Sequence, residues 1–397
     1  MDSQFMIQKI YTFTSEPFPV GMAATNRIIS MARGFMAHQK QAEIVVFRKT
    51  EDAKDKRNLQ TQGVHRGVKF RYLARSTCKA ASFMKRRLDN AVMNWKLFLF
   101  AMRNLNRHTL SIYYATATLP AVLLRLASRM KRSLLVKEES EHPEIYRRSR
   151  QLYTAFAFRH IHYRLFDGLL LMTNNLIRYF RDEKHYKKPI LHVPMTVDLD
   201  RFQITDSPSK KWLTYCGILH DRKDGTSILL QAFHKLTRQF PDYQLILIGD
   251  AATENDRKKY RSLAEELNIE SKVNFVGSID NEQIPKYLME SSVLVLPRPD
   301  SVQAQHGFPT KLGEYLASGK PVVVTSVGEI PQYLEDRVSA FIVKPGDVES
   351  LADSMLDVLS DYDKAKQIGL KGREVVVKHF NNTVQAKSVI EFFDSNP

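Results

Sequence analysis

Between Trp212 and Ser326 the chain alternates short apolar runs with longer amphipathic stretches, and this alternation restricts the fold more than any other feature. "WLTYCGIL", "YQLILIGD", "KVNFVGS", "VLVLPRP" and "PVVVTS" read as strands, while "SILLQAFHKLTRQF", "ENDRKKYRSLAEELNI" and "NEQIPKYLMESS" read as helices. Strands this apolar need cover on both faces, and parallel neighbours need a crossover, usually a helix. The segment is therefore expected to be a parallel sheet with helices on both sides. The N-terminal half is less regular but similar: "QKIYTFT", "AEIVVFR", "SIYYATA", "SLLVKEE", "GLLLMTN" and "PILHVPM" read as strands. "ITDSPSK" is a polar break. The expected organisation is α/β, with two Rossmann-like domains facing across a cleft. An N-terminal domain would span 1–203, a linker 204–210 and a second domain 211–379, with a final helix over 380–397 returning to the first domain.

The stretch "HGFPTKLGEYLASGKPVVV", from His306 to Val324, is a loop, a helix and a strand. Pro309 suits the first helical position and Gly319 the left-handed residue past the end. Phe308, Leu312, Tyr315 and Leu316 recur at helical spacing and make the buried face. Thr310, Lys311 and Glu314 share another face. Read blandly, that face is solvated and carries a Lys–Glu pair. Read functionally, the free N–H groups of Thr310 and Lys311 and the helix dipole form an anion site. The strand-end position favours the second reading, because ligands of open parallel sheets sit at the carboxyl ends of strands.

Charge is distributed unevenly. The formal net charge is +16, yet residues 1–200 hold 35 Lys and Arg against 16 Asp and Glu, and the remainder holds 24 against 27. From Arg66 to Lys137 there are sixteen basic residues and one acidic residue, Asp89. Such a half-molecule attracts an anionic partner: nucleic acid, a membrane surface or a phosphate-bearing substrate. The opening residues do not resemble a signal peptide and no apolar run reaches the length of a membrane span, so a cytoplasmic setting is expected. Cys78 and Cys216 suggest neither a disulfide framework nor a zinc site.

Several segments together resemble the GT-B glycosyltransferases, in particular the retaining family 4 enzymes. In order these are "VPMTVDLDRF", "YCGILHDRKDG", "LILIGD", "VNFVGSI", "GFPTKLGEYLASGKPVVVTSVGEIPQYL", "VKPGDVESLADSMLDVL" and "GREVVVKHF". Over residues 1–190 the resemblance rests on "PFPVGMAATNRIISMARGFMAH" and "DGLLLMTN". It implies a retaining transfer from a UDP- or GDP-sugar to a lipid-linked or polysaccharide acceptor, as in bacterial O-antigen, capsule or exopolysaccharide assembly. It also implies a metal-independent enzyme without a cofactor, placed in the cytoplasm or peripherally on the inner face of the membrane. Glu314 matches the second glutamate of the family's paired glutamates, which contacts the nucleotide ribose. The first falls on His306, and Pro309 replaces a family glycine, so the family's contact to the donor sugar does not carry over by itself. Gly217, His306, Gly307, Phe308 and Thr310 complete the implied donor segment. Lys223 matches a family lysine on the diphosphate. A family arginine is replaced by Ile218, with Arg222 the candidate substitute.

A departing nucleoside diphosphate gains negative charge, and oriented cations stabilise it. Lys311, Lys223 and the helix N–H groups are the candidates, although "DRKDG" also reads as an exposed turn. Asp-x-Asp spacing occurs in a relevant place only at Asp198 and Asp200, in the segment that the resemblance assigns to the hinge. In the N-terminal half, "LLVKEESEHPEIYRR" puts Glu138, Glu139, Glu141 and His142 at a strand end. There Glu138 or Glu141 would orient or deprotonate an acceptor hydroxyl, with His142 beside them. The other reading is a surface loop that pairs with Arg147 and Arg148. Gly21 fits either a close backbone approach to ligand or a plain loop. The stripe Met84, Leu88, Ala91, Val92, Trp95, Phe98, Leu99 and Met102 fits an interfacial helix on anionic lipid or a core helix with a solvated basic face. The core helix is the expectation. Nucleic acid is not the expected partner, since no zinc-finger or RNP pattern accompanies the charge. A GT-B epimerase or a catalytically silent relative is the remaining alternative.

Overall fold

A computed structural model describes residues 6–54, 56–143, 161–204 and 209–395. Residues 147 and 148, and 205–208 of the polar break, lie outside the described residues. Two compact units emerge: Met1–Thr196 with Asn382–Pro397, and Val197–Asn381. The division falls at Val197, ahead of the break at 204–210.

The first unit holds an eight-stranded sheet, built from β1 (Lys9–Thr14), β2 (Gln41–Val46), β3 (Gln62–His65), β4 (Val68–Tyr72), β5 (Thr109–Tyr114), β6 (Leu134–Glu139), β7 (Gly168–Leu171) and β8 (Ile190–His192). Their order is β3-β4-β2-β1-β5-β6-β7-β8, parallel except for β3 against β4. The β3–β4 hairpin escapes the alternation pattern. Its turn is Arg66-Gly67, both with positive φ, a pair of conformations that suits a two-residue hairpin.

Period-two alternation assigns the two cores. Ile10, Ile44 and Val46 face helix α1 (Ala23–Ala37) and the C-terminal helix Asn382–Ser395. Tyr11, Phe13, Val45 and Phe47 face α2 (Phe83–Asn104) and α3 (Thr118–Lys131). Gly34 lets α1 and the C-terminal helix cross closely, because a Cβ there would strike the Asn382 carbonyl. The Asn382 side chain ties the crossing by donating to the Ser30 carbonyl at 2.9 Å.

The N-terminal part of α2 departs from the core-helix expectation. Met93, Leu97, Phe100 and Ala101 form its buried face, while Met84, Leu88, Val92 and Trp95 are exposed. The later part of the stripe read from the sequence meets the expectation, since Phe98 and Met102 are half-buried against that core, whereas the earlier part, with Ala91, stays exposed because the buried face there runs through the adjacent positions. Among the described residues no helix is long and apolar enough to cross a membrane.

The second unit contains β9 (Trp212–Cys216), β10 (Gln244–Ile248), β11 (Val273–Gly277), β12 (Val293–Leu296), β13 (Val322–Thr325) and β14 (Phe341–Val343). The order β11-β10-β9-β12-β13-β14 is parallel throughout, which is the Rossmann order with its reversal between β9 and β12. Strands β12 and β13 are buried along their whole length, as expected of strands covered on both faces. The reversal opens a crevice beyond the carboxyl ends of β9 and β12, where ligands of such sheets bind.

Candidate functional site

Gly217 follows β9, and Pro297 and Arg298 follow β12, so these residues flank the crevice. Into this region comes α7 (Thr310–Ala317), preceded by α4 (Asp221–Asp224), α5 (Thr226–Leu236) and α6 (Val302–His306). Pro309 is the cap residue of α7 rather than its first helical residue, and no side chain caps the helix. The first turn therefore points uncapped N–H groups and the positive end of the dipole into the preceding loop. Leu312, Tyr315 and Leu316 are buried, and Gly319 takes φ +71° past the C-terminus. Phe308 is buried against Tyr333 and Phe380, with ring centroids 5.6 and 5.2 Å away, and so fixes the entry to α7.

Lys311 and Glu314 do not pair with each other. The Lys311 ammonium donates to Asp224 Oδ2 at 2.8 Å and to the Tyr215 hydroxyl at 3.0 Å, and it lies 4.9 Å from the Tyr215 ring centroid. Glu314 Oε1 accepts from Arg201 Nη1 at 2.5 Å, and Arg201 Nη2 donates to the Asn281 carbonyl at 2.6 Å. Burial tends to raise the Asp224 carboxyl, but the Lys311 charge and hydrogen bond and the Arg298 charge outweigh it, leaving the group below the usual carboxylate range. Burial lowers the Lys311 ammonium by more than Asp224 restores. Arg298 is buried, and its charge acts on both members of the pair. One carboxylate thus holds a largely buried lysine within the field of a second cation. An anion entering there meets preoriented positive charge.

Two buried tyrosines tie the end of β9 to α7 around this pair. Tyr315 reaches from α7 to Cys216, accepting from its N–H at 2.6 Å and donating to its carbonyl at 3.3 Å. The Tyr215 hydroxyl donates to the Ile218 carbonyl at 2.9 Å while accepting from Lys311. Gly217 leaves room for the ammonium, since a Cβ there would collide with Lys311 Nζ. Gly225, at φ +69°, lets α4 approach β12, where a Cβ would strike the Pro297 carbonyl. Burial, and then the Glu314 charge, push the Cys216 thiol up to about 12, which keeps it unreactive.

The other donor-side candidates are placed less centrally. Lys223 is half-buried on α4 beside Asp224, without a hydrogen bond or ion pair to a described residue. Arg222 is exposed on the same helix, and its N–H donates to His220 Nδ1 at 3.1 Å. His306 ends α6 and Gly307 caps it. His306 Nδ1 lies 3.0 Å from the Val302 carbonyl, which can only accept, so this nitrogen carries the proton.

In the first unit, Glu138 spends its carboxylate on Arg27. That guanidinium also donates to the Pro194 and Val193 carbonyls, each at 2.8 Å, and both side chains are buried. Glu139 pairs with Lys137 at 3.2 Å and accepts from the Tyr163 hydroxyl at 2.9 Å. His142 is buried, its ring centroid 4.4 Å from that of Tyr179. Gly21 serves its own turn, where a Cβ would strike Thr25, whose hydroxyl donates to the Pro17 carbonyl at 2.8 Å. Glu141 is half-buried, and its charge is felt by Glu16, whose carboxyl is raised by burial first and by Glu141 second. Glu16 follows β1, Tyr114 ends β5 and Glu141 follows β6, around the reversal point of the first sheet.

Tyr215, Asp224, Arg201, Arg298 and Glu16 are the site residues that sequence reasoning did not single out. Arg201 and Asp224 lie in quoted motifs, "VDLDRF" and "HDRKDG", but nothing local ties them to Glu314 or Lys311. Among the described residues, no three His, Cys, Asp or Glu side chains are placed to hold a metal ion.

Residues 197–375 match the model of the family described as glycosyl transferases group 1. The chain carries a group 1 glycosyl transferase domain. The crevice, Lys311, Asp224, Arg298, Arg201 and Glu314 all lie within this domain. Among curated relatives, the N-acetyl-alpha-D-glucosaminyl L-malate synthase of Bacillus anthracis is 28% identical over 154 residues, 39% of this chain and 38% of that protein. The amylovoran biosynthesis glycosyltransferase AmsK of Erwinia amylovora is 26% identical over 173 residues, 43% of this chain and 42% of that protein. The chain thus spans well under half the length of these two relatives. Among solved structures, Anabaena HepE in complex with UDP aligns over 98% of this chain and 100% of its own, with TM-score 0.71 and 16% identity. That likeness shows the fold of the whole chain, which is GT-B, with two Rossmann-like units.

Proposed function

We propose that this chain is a retaining glycosyltransferase that moves a sugar from a UDP- or GDP-linked donor to a lipid-linked or polysaccharide acceptor in the assembly of a bacterial surface polysaccharide. The observation that carries the reading is the Lys311–Asp224 pair beside Arg298 at the reversal point of the group 1 domain. A leaving diphosphate there meets the Lys311 ammonium, the Arg298 charge and the uncapped start of α7. These groups are already oriented where charge develops, so they favour the transition state over the bound donor. Lys223 and Arg222, on α4 beside Asp224, supply further positive charge from the crevice rim. Glu314, oriented by Arg201, takes the ribose hydroxyls. Relatives support the class of donor and product: HepE is seen with UDP, and AmsK is named for amylovoran biosynthesis.

On the acceptor side, Glu16 and Glu141 at the reversal point of the first sheet orient or deprotonate the hydroxyl, whereas Glu138 holds Arg27 in place. The diphosphate's counter-charges come from the chain, so turnover proceeds without added metal or cofactor. The test is release of nucleoside diphosphate from a panel of UDP-, GDP- and ADP-sugars, with and without acceptor and EDTA, and with the product anomer read by NMR. The expected result is acceptor-dependent release from one donor, unaffected by EDTA, with retained configuration. An inverted product, loss of turnover in EDTA, or isomerised donor without transfer overturns the corresponding part of the reading.

A further inference from the structure

A cavity of about 250 Å³ lies at the carboxyl ends of β1 and β2, with α2 along one side. Ser15 comes directly after β1, and Arg48 and Lys49 follow β2. Arg86, Asn90 and Met93 recur at helical spacing, so α2 turns one face to the cavity. Four cations line it, Arg48, Lys49, Lys79 and Arg86, against one acid, Asp89. Lys49 neutralises Asp89 at 2.9 Å. Lys79 lies 3.5 Å from Asp52, an exposed carboxylate that water screens. Arg86 donates to the Ala81 carbonyl at 2.9 Å, and Arg48 donates to Asn94 Oδ1 at 2.7 Å and to the Phe47 carbonyl at 3.2 Å. Among the described residues neither guanidinium forms an ion pair with a carboxylate.

Arg48 is half-buried, and burial lowers its guanidinium from the ordinary range. An arginine keeps its proton in a protein, so this one carries a partly desolvated charge held only by neutral oxygens. With Arg86 and Lys79 it offers a cationic set that lacks a matching anion. A phosphate monoester brings a charge of about −1.5 to −2 and three acceptor oxygens, which two arginine forks and a lysine can share. A carboxylate brings less charge and two oxygens, and leaves part of the set unmet. At about 30 Å³ per water the cavity equals roughly eight waters. It therefore takes a phosphate with part of the sugar that bears it, rather than a length of nucleic acid, which needs a continuous groove. Ser15 in the lining precedes Glu16 in the chain. A phosphate bound there is anchored close to the carboxylate assigned to the acceptor hydroxyl.

We propose that this cavity is a phosphate subsite for the acceptor: Arg48, Arg86 and Lys79 bind a phosphate group carried by the acceptor sugar and select it over a neutral acceptor. The acceptor role rests on the glycosyl-transfer reading, whereas the phosphate site rests on the cavity alone.

The first test is calorimetric titration of glucose 1-phosphate, glucuronate and glucose into the full chain carrying Lys311→Met/Asp224→Leu, which removes the lysine of the crevice. Glucose 1-phosphate is expected to bind, glucuronate to bind more weakly and glucose not to bind. Adding Arg48→Gln, or Lys79→Gln/Arg86→Gln, lowers the affinity for glucose 1-phosphate about tenfold per arginine, the scale of a hydrogen bond to a charged group. Lys79 and Arg86 are exposed, so that pair keeps the melting temperature of its background even if Arg48→Gln does not. The second test measures transfer by the otherwise unaltered chain to sugars, sugar phosphates and prenyl-diphosphate-linked sugars. Phosphate-bearing acceptors are expected to be preferred, and the cavity variants raise their KM by about the same factor while kcat at saturating acceptor changes less. Three results overturn the proposal: no binding of glucose 1-phosphate, binding that neither cavity variant weakens, or acceptor KM values that the variants leave unchanged. The last would leave the cavity with an adventitious ion only. Phosphate binding that the cavity variants weaken, without turnover of any donor, fails the glycosyl-transfer reading and the acceptor role while the phosphate site stands.

Discussion

The Lys311 ammonium is held 2.8 Å from the Asp224 carboxylate, so the cation at the head of α7 is anchored by α4 and not by its helical neighbour Glu314. This arrangement separates two roles. Lys311 belongs to the charge that faces the crevice, and Glu314 to the Arg201–Asn281 cluster.

Lys311→Met leaves the Asp224 carboxylate buried without its ammonium. Removing one partner of a buried pair costs about 3–5 kcal/mol, and the low end applies here because Lys311 is partly solvated. Adding Asp224→Leu removes the stranded charge and restores most of the stability. Turnover behaves differently: it falls on the order of a hundredfold in the single variant and stays low in the double, because the diphosphate has lost its cation. Urea denaturation and initial rates at saturating donor measure the two quantities. Recovery of turnover in the double variant would show that Lys311 only supports the fold.

Glu314→Gln keeps the shape of the side chain and removes its charge. Arg201 retains its hydrogen bonds to Asn281, so the fold persists. Donor affinity falls by about 1.5–3 kcal/mol, the scale of a hydrogen bond to a charged group. Arg201→Lys acts in the same direction, since an ammonium cannot reproduce the planar fork that spans Glu314 and Asn281. Steady-state KM for the donor is the measurement. An unchanged KM in Glu314→Gln assigns the carboxylate to Arg201 alone.

Glu16 makes stability depend on pH. Its folded carboxyl is raised by burial and then by Glu141, whereas in the unfolded chain it titrates normally. Between the ordinary carboxylate range and the raised value, the folded state holds the extra proton and the unfolded state does not. The favourable contribution is therefore complete at low pH and is lost as pH rises through that window. Glu16→Gln removes the penalty at neutral pH. Its melting temperature should exceed that of the parent at about pH 7 and converge with it toward about pH 4. If Glu16 also handles the acceptor proton, the variant loses the acid limb of the rate profile. Parallel melting curves at every pH would remove Glu16 from the coupled pair.

Local signals made the architecture legible. Apolar runs of strand length located β1, β2 and β5 to β13, and Gly319 marked the end of α7, because these depend on periodicity and backbone preference. The hairpin around Arg66-Gly67 was not legible, since arginine at positive φ is an uncommon turn choice. The site itself was half legible. Lys311 and Glu314 stood out as polar residues on one helix, but their partners Asp224 and Arg201 come from segments that only the crossovers of the sheet bring near. The same limit applies to Glu138. Its place at a strand end was visible, but Arg27, which consumes its charge, lies on α1. For α2 the periodicity was visible, but which of two adjacent stripes the sheet would cover was not.

Tyr215 and Tyr315 meet at the end of β9, and removing either hydroxyl should have a different consequence. Tyr315→Phe strips the partner from the Cys216 N–H, a backbone donor in a buried wall. An unmet donor of this kind costs about 1–3 kcal/mol, so the main effect is on stability. Turnover per folded molecule changes less, because the Lys311 contacts survive. Tyr215→Phe keeps the ring under the ammonium but removes one of the two oxygens that hold it. The ammonium then pivots on Asp224 alone. Stability falls by about 1 kcal/mol, the net worth of an ordinary hydrogen bond, while turnover at saturating donor falls further than that loss, because misplacement affects the transition state more than the bound donor. Thermal melts and kcat on matched folded fractions separate the two tyrosines. Should Tyr215→Phe lose stability while kcat stays at the parent value, the position of Lys311 is not what drives diphosphate departure.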